Sequence, residues 1–152
     1  MAETIASILK NKLLKNKSGA IWSIAPDATV YDALAMMAER EVGALLVISA
    51  GDLVGIVSER DYARKIILQG RSSRDTTVQE IMTGTMFTVT PTDTIDDCMR
   101  IMTHHRIRHL PVMDQGSLVG IVSIGDLVNA IISEQARTID QLHTYIGVRY
   151  PA

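Results

Sequence analysis

Polar and apolar residues change their spacing along this chain in the same order twice. Each time a short extended piece ends in proline, "AIWSIAP" and "TMFTVTP", where the ring removes a backbone donor and holds its predecessor extended. Thr29-Val-Tyr-Asp32 and Thr94-Ile-Asp-Asp97 follow, with the hydroxyl-to-carboxylate spacing that caps a helix start. Apolar residues then recur at helical intervals: Val30, Ala33, Leu34 and Met37 in the first copy, Ile95, Cys98, Met99 and Met102 in the second. A run of strand formers comes next, "GALLVIS" or "RHLPVM", then a tight turn at "AGD" or "DQG", then "LVGIV". The pattern predicts a hairpin. Ser58 and Ser123 follow, each three residues before an Asp, and predict a second helix start ahead of "YARKIILQ" and "LVNAIIS".

Displacing the chain by 65 residues against itself lays Gly19 on Gly84, Pro26 on Pro91, Asp32 on Asp97, Leu45 on Leu110 and the whole "LVGIVS" block on its second copy, with no gap. Each copy therefore reads strand, helix, strand, strand, helix, and neither is long enough to bury a comfortable core alone. The boundaries predicted are 14–69 and 79–134, with helical segments at 1–13 and 135–152 on either side. Ile139, Leu142, Tyr145 and Ile146 keep helical spacing in the last segment, which predicts an added helix that covers an apolar surface or meets a partner.

Composition changes this picture mainly by exclusion. With 47% apolar residues, 21% charged ones and a net charge of −2, the chain has the make-up of a globular protein rather than a disordered or nucleic-acid-binding one. Lys10, Lys12, Lys15 and Lys17 form a local basic run, but no aromatic residues interleave with it for base stacking; an amphipathic helix with Ile5, Ile8, Leu9 and Leu13 inward accounts for it better. No apolar run approaches membrane-span length and the N-terminus has the reverse order of a secretory signal, so the expectation is a cytoplasmic protein with no membrane partner. Cys98, the single cysteine, has no internal disulfide partner and reads as packing. So do Met36, Met37, Met99 and Met102, whereas Met82 and Met86, near the junction of the copies, are left for adaptable contacts. His104 and His105, adjacent at a helix end, suit the negative end of its dipole rather than one metal, and no metal is expected. With no G-x-S-x-G, no Walker loop, no H-E-x-x-H and no assembled nucleophile, base and oxyanion site, the chain is not read as an enzyme.

The order of elements, the repeat, and G-h-h-S-x-x-D (h apolar) at Gly55 to Asp61 and again at Gly120 to Asp126 resemble a tandem pair of cystathionine-beta-synthase (CBS) domains, a Bateman module. The resemblance covers roughly residues 14–134. It implies an α+β fold in which the copies pack sheet to sheet about a pseudo-twofold axis, with clefts for adenosine-containing ligands. It further implies roles for the repeated residues. Gly55 and Gly120, the latter followed by Ile121, would let a base approach the strand; Ser58 and Ser123 would face phosphate or ribose oxygens from a helix start; Asp61 and Asp126 would accept the ribose diol. Arg108 and His109 are the phosphate candidates for the Asp126 site, and Gly43 and Ala44 replace them in the first copy. Arg60 is a further phosphate candidate beside Asp61. Alignment to the family adds Lys17, Ser18, Gly19 and Ala20 to the Asp126 site and Thr83 and Gly84 to the Asp61 site. AMP is the first ligand expected, with ADP, ATP, NAD or S-adenosylmethionine as relatives; the module would be a homodimer that regulates another protein in trans. The alternative is a structural dimerisation module whose clefts are vestigial and whose Ser and Asp residues only cap helices.

Overall fold

The computed structural model describes residues 3–15 and 21–145. Twelve elements follow in order: α1 (Ile5–Lys15), β1 (Ser23–Ile24), α2 (Val30–Arg40), β2 (Ala44–Ser49), β3 (Asp52–Ser58), α3 (Glu59–Tyr62) running into a π-helical turn (Ala63–Ile67), α4 (Val78–Ile81), α5 (Ile95–His105), β4 (His109–Asp114), β5 (Ser117–Ser123) and α6 (Ile124–Tyr145). The chain divides into two compact units. One spans Gly19–Thr88, and the other joins the residues before position 19 to those from Val89 onward.

In the unit spanning 19–88, β2 is the central strand, parallel to β1 and antiparallel to β3. Thr29 caps α2 by accepting from the Asp32 N–H at 3.1 Å, and Val30, Ala33 and Met37 are buried from that helix. They meet Ile24, Leu45, Val47, Val57, Ile66, Val78 and Ile81 in one core. In the other unit β4 and β5 form the hairpin, and Thr94 and Asp97 make a reciprocal capping box at the start of α5. Ile95, Cys98 and Met102 from α5 join Leu110, Val112, Val122, Leu127 and, from α1, Ile5 and Ile8. Burial pushes the Cys98 thiol up to about 11, as an inert packing residue requires.

Both hairpins turn through two residues of positive φ, Ala50 with Gly51 and Gln115 with Gly116, the geometry that matches the twist of paired strands. Both also carry a bulge at one place: Val47 pairs Gly55 and Ile48 pairs Leu53, just as Val112 pairs Gly120 and Met113 pairs Leu118. The residue skipped, Val54 or Val119, shifts the alternation of faces by one.

Three features differ from the sequence expectation. The first strand of the second copy shrinks to a single bridge, Val89 with Val112. In the first copy Leu46 donates its N–H to the Trp22 carbonyl at 3.3 Å; its counterpart is Pro111, which has no N–H to give. The helix after β3 is four α residues and then a π turn, whereas its counterpart α6 runs unbroken for 22 residues. The predicted C-terminal helix is thus not separate: Glu134, Gln135, Ala136 and Arg137 continue the second-copy helix without a breaker, and Ile139 and Leu142 stay exposed. Tyr145 ends α6, and Ile146 lies outside the described residues.

Candidate functional site

In each copy the first turn after the hairpin fixes a carboxylate. Asp61 Oδ2 accepts from the Ser58 N–H at 2.9 Å and the Ser58 hydroxyl at 3.1 Å, while Ser58 Oγ accepts from the Asp61 N–H at 3.2 Å. Asp126 Oδ2 accepts from the Ser123 N–H at 2.8 Å, and Ser123 Oγ accepts from the Asp126 N–H at 3.1 Å. The two serines are thereby engaged as helix caps.

Each carboxylate also faces a lysine, and the two lysines come from unrelated places. Lys65, in the π turn, lies 3.2 Å from Asp61 Oδ1 and donates to the Ile81 carbonyl at 2.7 Å. Lys12, on α1, donates to Asp126 Oδ2 at 2.9 Å and to the Ile121 carbonyl at 2.8 Å. Asp126 is the more enclosed partner, its side chain 22% exposed against 39% for Lys12. Among the described residues both of these bonds to Asp126, from Lys12 and from the Ser123 N–H, fall on the one oxygen, Oδ2.

His109 borders the same carboxylate, with the exposed Arg108 just ahead of it in the chain. The Arg108 carbonyl receives the Ile124 N–H at 2.8 Å, and His109 pairs with Ser123 across the β4–β5 ladder. The His109 imidazole is held below its usual pKa chiefly by burial and also by Lys12 and Arg108, while Asp126 pulls it the other way. Beside a half-buried imidazole, with the exposed Arg108 next along the chain, one cation, Lys12, is thus held on the carboxylate. A polar groove of about 460 Å³ leads away from it between α1 and α6, with Ser7, Asn11, Asn129, Ser133 and Arg137 on its walls.

Of the residues expected at the Asp126 site, the structure brings together Arg108, His109, Gly120, Ile121, Ser123 and Asp126. At the Asp61 site it brings together Gly55, Ser58, Asp61, Thr83 and Gly84. Thr83 exchanges two backbone bonds with Ile56, of 2.9 and 3.0 Å, and a side chain built on Gly84 would lie 3.8 Å from the Val54 carbonyl oxygen. Arg60 is half-buried next to Asp61. Lys17, Ser18, Gly19 and Ala20 lie outside the described residues.

The repeated glycines have a packing reason that the motif alone does not reveal. A Cβ on Gly55 would stand 2.6 Å from Met82 Sδ and 3.0 Å from the Thr83 carbonyl oxygen; one on Gly120 would stand 2.8 Å from Leu9 Cδ2. In this structure a side chain, rather than open space for a base, lies over each glycine. Met82 is accordingly part of its own unit's packing and not a spare interface residue. The sequence placed Lys12 on the basic face of an amphipathic helix that borders one cleft, with Leu9 inward, and left Met82 for adaptable contacts, but it did not identify Lys12, Lys65, Leu9 and Met82 as the partners of these carboxylates and glycines. A second offset would have found two of them: Ile5, Ile8 and Leu9 precede the first repeat with the spacing of Val78, Ile81 and Met82 before the second, displaced by 73 residues rather than 65. The intervening chain is longer in the first copy, so a gapless comparison passes over it.

The CBS domain profile matches residues 18–68 and 78–133. The chain belongs to the CBS-domain family. It is 43% identical to the mitochondrial CBS domain-containing protein CBSX3 of Arabidopsis thaliana, over 97% of this chain and 73% of that protein. It is also similar to a solved CBS-domain protein of Burkholderia ambifaria MC40-6, at 50% identity and a TM-score of 0.83 over 88% of this chain and 96% of the other. The CBS domain pair of protein MJ0100, solved with 5'-methylthioadenosine and S-adenosyl-L-methionine, shares the fold at 22% identity and a TM-score of 0.72, over 88% of this chain and 99% of that one. A CBS pair is a regulatory module, and the matched domains include no catalytic one. Among the described residues no helix is long and apolar enough to cross a membrane, and no cluster of His, Cys, Asp and Glu is arranged to hold a metal.

Proposed function

We propose that this CBS pair is an adenine-nucleotide sensor, with AMP its first ligand and ADP, ATP or NAD as relatives, and that it regulates another protein in trans as a homodimer. The observation that carries the reading is Asp126. Its carboxylate is fixed by a capping box, is held by Lys12, and stands near His109, with Arg108 just ahead of that residue, beside the strand that holds Gly120. A ribose diol can donate to that carboxylate, and the cations suit a phosphate. That the MJ0100 pair holds adenosine derivatives supports an adenosine-containing ligand here. Control of a partner follows only if the nucleotide binds two conformations of the module unequally.

A second reading is favoured by Leu9 and Met82. Because these side chains and the two capping boxes already account for the repeated Gly, Ser and Asp, the motif could persist in a purely structural dimerisation module. Calorimetric titration of AMP, ATP, NAD and S-adenosylmethionine, with Asp61→Ala and Asp126→Ala beside the wild type, separates the two. The sensor reading expects micromolar AMP binding that Asp126→Ala abolishes. The structural reading expects no heat from any ligand, and a loss of only about 1 kcal/mol of stability on that substitution.

A further inference from the structure

Resting on that reading of the Asp126 site, the geometry points to Lys12 as the residue that makes the site select phosphorylated over unphosphorylated adenosine ligands. Its ammonium holds the carboxylate oxygen Oδ2 at 2.9 Å and the Ile121 carbonyl at 2.8 Å. A diol that binds Asp126 through both oxygens takes the place of that ammonium. The backbone of Lys12 cannot withdraw, because α1 is anchored by the buried Ile5 and Ile8 and by Leu9 on Gly120. The displaced charge then keeps the Ile121 carbonyl but has no carboxylate of its own.

A neutral nucleoside leaves it so. A ligand that carries a phosphate supplies the anion that replaces Asp126, and the four-carbon stem lets the ammonium swing to meet it. Lys12 thus competes with the ribose of every ligand and compensates only those that bring negative charge. The Asp61 site has a different arrangement, with Lys65 four residues along the same helical segment.

The test is titration of the full chain with AMP and with adenosine, in an Asp61→Ala background so that the Asp126 site reports alone. AMP is expected to bind at least about tenfold more tightly than adenosine. Lys12→Met should weaken AMP and strengthen adenosine, bringing the ratio below about threefold, while Lys12→Arg keeps the preference. If Lys12→Met melts below the assay temperature, Lys12→Gln, which removes the charge but keeps a polar donor, is read in its place. An unchanged ratio in a folded Lys12→Met or Lys12→Gln protein overturns the role of Lys12 and leaves nucleotide binding intact. Loss of both ligands in the Asp61→Ala protein overturns the reading of the Asp126 site itself, and this inference with it.

Discussion

His109 shows how one side chain's setting decides its chemistry. A basic residue ahead of a strand is legible in sequence, and a cation on a phosphate is the natural expectation. Half-buried, with Lys12 and Arg108 nearby, the imidazole instead has its pKa lowered despite the pull of Asp126. In the unfolded chain His109 takes up a proton near its ordinary value of 6.5; in the folded chain it does so only at lower pH. The unfolded state therefore binds more protons across that interval, and stability falls as pH falls below about 6.5. Denaturant unfolding from pH 7.5 to 5 is expected to show this decline, and His109→Gln should flatten it. Asp97 and Glu80 act further down: cap hydrogen bonds from Thr94 and Thr77 hold both carboxylates below their ordinary values, so their contribution is lost only in stronger acid.

Between elements, the informative contact is a helix lying over a hairpin. Leu9 of α1 covers Gly120 of β5, and Met82, just after α4, covers Gly55 of β3. Alanine at either glycine must push that neighbour aside, and the two cases are unequal. At Gly120 the contacts are with the tip and branch point of a leucine; at Gly55 the Thr83 carbonyl also stands 3.0 Å away, and backbone yields less readily. Gly55→Ala is expected to cost roughly 1–3 kcal/mol and Gly120→Ala less. Adding Leu9→Ala should recover more of the Gly120→Ala deficit than Met82→Ala recovers for Gly55→Ala, in a double-mutant cycle followed by chemical unfolding. Nothing in "LVGIVS" discloses these partners. They arise because the helical segment ahead of each repeat packs on the other repeat's core: Ile5 and Ile8 join α5, β4 and β5, while Val78 and Ile81 join α2, β2 and β3.

For the molecule as a whole, that exchange means neither repeat completes its core from its own contiguous residues. The proposed homodimer is checked by sedimentation velocity, which should give a single species of twice the 16.7 kDa chain mass. Sedimentation at the monomer mass across micromolar concentrations would remove the dimer from the proposal and leave the nucleotide site standing.

The repeat, the capping residues and the period of the apolar positions were enough to place α2, α5, both hairpins and the family, because each rests on chemistry within a few residues of chain. Asp61 and Asp126 were legible for the same reason: a capping box is local. Tertiary structure alone decided what stands against those carboxylates and glycines. Lys12 reaches Asp126 across 114 positions, the Leu9 contact depends on α1 folding onto the second repeat, and the bulges at Val54 and Val119 depend on strand register. Pro111 shortens a strand only because of what would have paired with it. Local hydrogen-bond patterns are written in adjacent residues; the partners of a side chain are set by which surfaces the folded chain brings together.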